Sequence, residues 1–274
     1  MIACPLCPHH CALHENQTGI CHARKNQGGA IVPLGYGRLT SLALDPIGKK
    51  PLNRFHPGTK ILSAGSFGCN MSCFFCQNAE ISMAGANDVP TRKMSPEALV
   101  NMAEGLKPQG NIGLAFTYNE PLVNLEFILD SFSLLKQRGM GTVLVTNGCF
   151  CLDALGALFS LTDAMNIDLK GFASPWYRHL GGDLDTVKAF IKAASRFSHI
   201  EITTLIVPGE NDSLGEMEEL SVWLASLSPD IPLHISRFYP RYLSVGYLPT
   251  DVDDIQALCG VAQKHLAYVY PGNI

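Results

Sequence analysis

Cys69, Cys73 and Cys76 form a C-x3-C-x2-C run inside Gly65-Ser-Phe-Gly-Cys-Asn-Met-Ser-Cys-Phe-Phe-Cys-Gln-Asn78. Three thiolates spaced this tightly can hold three corners of a cubane [4Fe–4S] cluster and leave the fourth iron without a protein ligand. An iron with an open position is a place for reaction, whereas a four-thiolate cluster is ordinarily an electron carrier. A second run, Cys4-x2-Cys7-x3-Cys11-x9-Cys21, supplies four thiolates. Four would close a site, which suits either a structural Zn²⁺ or an electron-transfer iron–sulfur cluster. Spacing does not choose between them. The lack of apolar residues around this run favours a structural metal, because binding would fold the segment. The interleaved His9, His10, His14 and His22 are expected to face solvent rather than to ligate. Cys149, Cys151 and Cys259 stand apart and read as small buried hydrophobes.

The rest of the chain must position these thiolates. Residues 1–25 are polar, Cys-rich and without a core; residues 26–60, with many Gly and Pro, read as hairpins and loops, Leu39 to Leu44 being the best strand candidate. From residue 61 to 274 short apolar runs alternate with stretches of helical period. The runs are Ile61–Ala64, Ile112–Phe116, Thr142–Val145, Ala164–Leu169, Glu201–Val207 and Pro232–Phe238. Helices are expected over Pro96–Leu106, Leu125–Arg138, Leu214–Leu227 and Asp251–His265. Ser95 with Pro96 marks the start of the first, and Ser213 with Glu216 is a capping-box signature. Strand–helix alternation implies a parallel sheet. Six units fit an open, partial (βα)6 TIM-type barrel of class α/β, preceded by a small irregular Cys-rich metal-binding segment.

In such a barrel chemistry gathers at the C-terminal strand ends. Every expected strand runs into a polar or glycine-rich word there: the cysteine triplet, Thr117-Tyr-Asn-Glu-Pro121, Thr146-Asn-Gly148, Asn166-Ile-Asp-Leu-Lys170, Pro208-Gly-Glu-Asn-Asp212 and Ser236-Arg-Phe-Tyr-Pro240. Period two puts Asn166, Asp168 and Lys170 on one face, and the apolar Ile167 and Leu169 on the other. Asp168 and Lys170 can form an ion pair or share a ligand that offers a ribose hydroxyl and a carboxylate. Glu120, held extended by Pro121, can accept from an ammonium or favour the following helix through its dipole. Asn147 lies in a turn dipeptide. Thr203 is a polar residue in an apolar run, and Arg237 can bind a carboxylate or sit at the barrel rim.

The chain has 274 residues, 47% hydrophobic, with a net charge of −4, and a pI near 6.1. That length suits one α/β barrel with a sizeable core. The mild acidity excludes a nucleic-acid-binding surface as an expectation. No apolar run suggests a signal peptide or membrane span. Ten cysteines, seven of them before residue 77 in two tight clusters, argue for metal ligation in a reducing cytoplasm over a secreted disulfide framework.

Taken together, the words Asp45-Pro-Ile-Gly-Lys-Lys-Pro51, Gly68–Asn78, Thr117–Pro121, Asp163–Lys170 and Thr203–Gly209 resemble those of radical S-adenosylmethionine (SAM) enzymes. The resemblance covers nearly the whole chain. It is nearest to the pyruvate formate-lyase activating enzyme-like branch, and within it to the AmmeMemoRadiSam system proteins. The resemblance implies that Cys69, Cys73 and Cys76 hold a [4Fe–4S] cluster whose open iron is chelated by SAM. It further implies contacts to SAM from Tyr118, Asn119, Glu120, Asn147, Asp168, Lys170, Thr203 and Arg237, and an electron donor such as flavodoxin or ferredoxin, in an oxygen-free setting. Tyr118-Asn119 stand where the family's strand-two word has glycines. Members of the branch also run past a Tyr-Val-Tyr-x-Gly-Asn segment into a Cys-containing tail, whereas Tyr268–Ile274 ends this sequence.

Three function classes follow. The first is a radical SAM enzyme acting on a small molecule or on a protein side chain or backbone. The second is an activase that places a glycyl radical on a partner enzyme. The third is a non-catalytic iron–sulfur or zinc assembly protein, which polar words at all six strand ends disfavour.

Overall fold

The computed structural model describes residues 1–274. Its centre is one eight-stranded sheet, here numbered in chain order: β1 (Ser41–Pro46), β2 (Lys60–Gly65), β3 (Asn111–Phe116), β4 (Gly141–Thr146), β5 (Ala164–Asp168), β6 (His199–Ile206), β7 (Leu233–Arg237) and β8 (Val269–Gly272). The spatial order follows the chain without a crossover, from β8 to β1, and the two edges do not meet. Strands β2 to β8 run parallel, and β1 pairs antiparallel with β2. All six expected strands are present. The expected open, partial barrel is found, but one strand is added at each edge and the added β1 makes the sheet mixed rather than purely parallel. The stretch Leu39 to Leu44 breaks at Thr40. Arg38–Leu39 pairs with Arg92–Lys93, and the remainder enters β1.

Five longer helices cover the sheet: α1 (Pro96–Gly105), α2 (Leu125–Gln137), α3 (Leu184–Ala194), α4 (Leu214–Leu227) and α5 (Val252–Ala262). Ser95 caps α1 by accepting from Ala98 N at 3.2 Å. Asp183 does the same for α3 through Thr186 N at 2.8 Å, and Ser213 for α4 through Glu216 N at 3.1 Å. The reciprocal half of the expected capping box is missing. Glu216 instead accepts from Phe172 N at 2.5 Å, tying the loop after β5 to α4. No helix is long and apolar enough to cross a membrane.

Two cores follow from strand alternation. Leu62, Leu114, Leu144, Met165 and Ile202 face the helices, joining Leu99, Phe132, Phe190 and Leu220. Ile61, Ala115, Val143 and Ala164 face the barrel interior, where Ile47 and Leu52 fill the space. The segment after β1 therefore floors the barrel at the N-terminal strand ends. Polar contacts pin it there: Asn166 Nδ2 donates to Pro51 O at 2.9 Å, and the fully buried Glu201 accepts from Asn53 N at 2.9 Å and Arg54 N at 2.7 Å. His199 and His234 complete the Glu201 carboxylate's partners at 3.0 and 2.7 Å. Burial opposes its charge, yet these four donors hold the Glu201 carboxyl down at about 2.

The N-terminal segment carries two small antiparallel pairs, Ile2–Ala3 with Ala12–Leu13 and Arg24–Gln27 with Ala30–Pro33. His9, His10, His14 and His22 are exposed, as expected. No three His, Cys, Asp or Glu side chains anywhere in the chain converge as ligands of a single metal ion.

Candidate functional site

The cysteine triplet lies in the loop leaving β2, at the C-terminal end of the barrel, and apolar anchors hold it. Phe67 is fully buried, and Met71 and Phe75 are nearly so. Phe75 stacks on Trp176 with ring centroids 6.0 Å apart. Gly68 sits at φ +86°, and a Cβ there would collide with Cys21 O and lie 2.8 Å from Ala23 Cβ. Only glycine lets the loop take that conformation with the N-terminal segment packed on it. Cys76 N donates to Cys73 O at 3.1 Å, so the last two thiols share a tight turn.

Two N–H groups point at the Cys69 sulfur: Met71 N at 3.4 Å and Asn147 Nδ2 at 3.7 Å. Donors of this kind stabilise a thiolate bound to iron. Burial holds the Cys69 thiol well above its ordinary range and pushes Cys73 up to about 11, with the Lys170 ammonium partly offsetting the latter. These thiols are therefore protonated until a cation takes the proton's place. Three closely spaced thiols, one of them with two N–H donors at its sulfur, are a donor set suited to a three-thiolate iron–sulfur cluster.

Glu120 is buried at the end of β3 and bridges to the end of β4. Its Oε1 accepts from Leu122 N at 3.0 Å and Thr146 Oγ1 at 2.8 Å, and its Oε2 accepts from Asn147 N at 2.7 Å. Burial pushes this carboxyl up to about 7 against those bonds. Asn147 then donates to Asn70 Oδ1 at 2.8 Å. Glu120, Asn147, Asn70 and Cys69 thus form one connected set across three strand ends.

Asp168 and Lys170 pair at 2.8 Å at the end of β5. Burial opposes the charge on Lys170, but the Asp168 carboxylate holds its ammonium well above the usual lysine range. The Lys170 backbone is fixed from three sides. Its N–H donates to Tyr177 OH at 2.9 Å, and its carbonyl accepts from Trp176 Nε1 at 2.7 Å and Asn211 Nδ2 at 3.0 Å. A cation and a carboxylate are so presented beside the cysteine loop.

Four of the residues expected to meet SAM have their polar atoms engaged elsewhere. Asn119 accepts from Ser66 N at 2.9 Å and donates to Gly68 O at 3.0 Å and Glu120 O at 3.1 Å, so its side chain braces the Cys69 loop. Thr203 exchanges hydrogen bonds with Asn166 at 2.9 and 3.0 Å, facing the interior as expected and in register with Asp168 on the neighbouring strand. Arg237 donates to Thr250 O at 2.5 Å and to Tyr239 OH at 2.8 Å, the rim position. Tyr118 takes φ +75°, a conformation that costs a non-glycine residue about 1–2 kcal/mol. Its hydroxyl donates to Asp45 at 2.7 Å, and its carbonyl accepts from Asn78 Nδ2 at 2.7 Å. The buried Lys50, paired with Asp45 at 2.7 Å, lies 4.7 Å from the Tyr118 ring centroid. These contacts explain how a tyrosine holds a place whose backbone suits glycine. Asn70, Asn78, Thr146 and Tyr177 belong to the site and were not singled out from sequence. A single Asn or Thr in a strand-end word carries no periodic signal.

A family model described as the radical SAM superfamily matches residues 65–221. A protein of Methanocaldococcus jannaschii, itself uncharacterized, is 37% identical over all of this chain and 81% of its own length. The pyruvate formate-lyase-activating enzyme of Staphylococcus aureus is 25% identical over 74% of this chain and 85% of its own. Among solved structures, Streptococcus suis SuiB bound to S-adenosylmethionine matches with a TM-score of 0.59 and 13% identity, over 76% of this chain and 48% of that one. A domain of the pyruvate-formate lyase-activating enzyme from Bacteroides vulgatus matches with a TM-score of 0.51 and 17% identity, over 59% of this chain and 99% of that domain. At such identities the two structures show likeness of fold alone.

Proposed function

The chain belongs to the radical SAM superfamily, and from that premise we propose that Cys69, Cys73 and Cys76 hold the [4Fe–4S] cluster that binds SAM. The chemistry of the superfamily is general: reduced cluster and SAM together yield a 5′-deoxyadenosyl radical that abstracts hydrogen from a substrate. This chain's residues bind, orient and shield. The Glu120 carboxylate has three hydrogen bonds and a fourth acceptor position free for the SAM ammonium. Asp168 accepts from the ribose, and Lys170 meets the carboxylate. Asn147 carries the link from Glu120 to the Cys69 sulfur. The single observation behind this reading is the convergence of the triplet, the Glu120–Asn147 bridge and the Asp168–Lys170 pair at one end of the barrel. Tyr118, Asn119, Thr203 and Arg237, whose side chains also brace neighbouring segments, complete the proposed contacts to SAM.

Within the superfamily we propose the pyruvate formate-lyase activating enzyme-like branch, nearest the AmmeMemoRadiSam system proteins, on the words Asp45–Pro51, Gly68–Asn78, Thr117–Pro121, Asp163–Lys170 and Thr203–Gly209. The hydrogen donor is a small molecule or a protein side chain or backbone. A glycyl-radical activase is the second reading, and the S. aureus relative supports it. The test is electron paramagnetic resonance of the anaerobically reduced protein. SAM bound at the open iron shifts the cluster signal; an unchanged signal at saturating SAM refutes the assignment.

A further inference from the structure

Cys4, Cys7, Cys11 and Cys21 line a single cavity, together with Arg24 and Asn70 and an otherwise mostly apolar wall. All four are free thiols, three of them buried. Four thiolates close a site, as either a structural Zn²⁺ or an electron-transfer iron–sulfur cluster requires.

Arg24 supplies an independent sign of an occupant. Its two terminal nitrogens are held by Glu126 at 2.9 and 2.6 Å and by Val123 O at 3.2 Å. Its Nε is buried and has no partner. A buried N–H without an acceptor is costly, and an anionic cluster in the cavity would supply one, sulfide or thiolate. The guanidinium charge lies beside Cys4 and Cys21 and would offset a negatively charged four-thiolate cluster.

The cavity adjoins the proposed SAM cluster. Asn70, which lines it, directly follows Cys69 in the chain and is hydrogen-bonded to Asn147, the donor to the Cys69 sulfur. The Cys21 carbonyl packs against Gly68, directly preceding Cys69. Gly68 and Asn70, the two chain neighbours of Cys69, thus meet the N-terminal thiol segment.

We propose that Cys4, Cys7, Cys11 and Cys21 hold a second iron–sulfur cluster that passes single electrons to the cluster at Cys69, Cys73 and Cys76. The relay rests on the radical SAM reading; the site itself does not. One electron from a flavodoxin- or ferredoxin-class donor reduces the second cluster and leaves the donor oxidised by one. The electron moves on, the second cluster returns to its oxidised form, and the S–C5′ bond of SAM breaks to give methionine and the 5′-deoxyadenosyl radical. No proton is transferred.

The experiment is anaerobic reconstitution of the full chain with iron and sulfide, followed by metal analysis. About eight irons per wild-type chain and about four in a Cys7→Ser/Cys11→Ser variant are expected. About four in the wild type, with or without zinc, overturns the site, and this count needs no variant to fold. Cys73→Ala should keep about four irons with a resonance signal that SAM does not alter, which tests the N-terminal site with the other disabled. SAM cleavage driven by reduced flavodoxin should fall by about an order of magnitude or more in the Cys7→Ser/Cys11→Ser variant, while dithionite restores it. Equal loss with both reductants, or no loss with either, overturns the relay.

Discussion

Replacing Glu120 by Gln keeps the size of a buried side chain and removes its charge and one acceptor. In the native protein Oε1 serves Leu122 N and Thr146 Oγ1, and Oε2 serves Asn147 N. An amide has one oxygen. With that oxygen at the Oε1 place, Asn147 N faces an NH2 group; with the amide flipped, Thr146 can turn to accept but Leu122 N is stranded. Either orientation leaves one buried backbone N–H unpaired, which costs about 1–3 kcal/mol. Melting temperature should fall by about 2–4 °C for each kcal/mol lost. The second loss is specific to SAM. A charge-assisted bond to the ammonium contributes about 1.5–3 kcal/mol, so the dissociation constant for SAM should rise roughly 10–100-fold. The assay is SAM titration of the reconstituted, reduced protein, followed by the change in cluster signal. A Glu120→Gln protein that is less stable but binds SAM as the wild type does would refute the ammonium contact and leave Glu120 as a brace between β3 and β4.

The Glu201 carboxyl lies at about 2 against an ordinary 4.5. Its stabilisation is therefore complete above pH 4.5 and is lost as pH falls toward 2; Glu201→Gln should cost about 2–4 kcal/mol at pH 7. Denaturant unfolding across pH 7 to 3 checks this, and a variant whose deficit stays constant down to pH 3 contradicts it. Gly68→Ala forces a left-handed Cβ against Cys21 O and Ala23, so a loss of at least about 2 kcal/mol is expected. Protease sensitivity around residues 1–25 should rise with it, and an unaltered cleavage pattern would count against the docking of that segment on the cysteine loop. Asp168→Asn leaves Lys170 without its carboxylate partner and should weaken SAM binding about tenfold, read by the same titration as Glu120→Gln; unaltered binding removes Asp168 from the ribose.

Most of the sheet was legible from sequence because its strands are apolar runs bounded by polar words. All six are found, with no end displaced by more than two residues. Helix α3 lies outside the expected helices, although Leu184, Val187, Phe190, Ile191 and Ala194 repeat at helical spacing and Asp183 caps it. β1 and β8 were harder. Val269–Gly272 includes Pro271, which marks an edge strand, and Ser41–Pro46 departs from the parallel pattern that strand–helix alternation suggests. Triplet, Glu120, Asn147, Asp168 and Lys170 could be placed at one barrel end because strand ends define it. The use of each polar atom could not. Asn119, Thr203 and Arg237 look as available in sequence as Glu120 does, and only three-dimensional partners reveal that backbone groups, Asn166, Thr250 and Tyr239 occupy them. The Glu201 cluster, which pins the barrel floor, joins residues 53, 54, 199, 201 and 234, a grouping that no spacing along the chain announces.

The central claim is that Cys69, Cys73 and Cys76 make the radical. Its most direct measurement is 5′-deoxyadenosine formed from SAM by the anaerobically reconstituted, dithionite-reduced chain, beside Cys73→Ala prepared in the same way. The account predicts product from the wild type and none above the protein-free background from the variant. Product at wild-type levels from Cys73→Ala would contradict it.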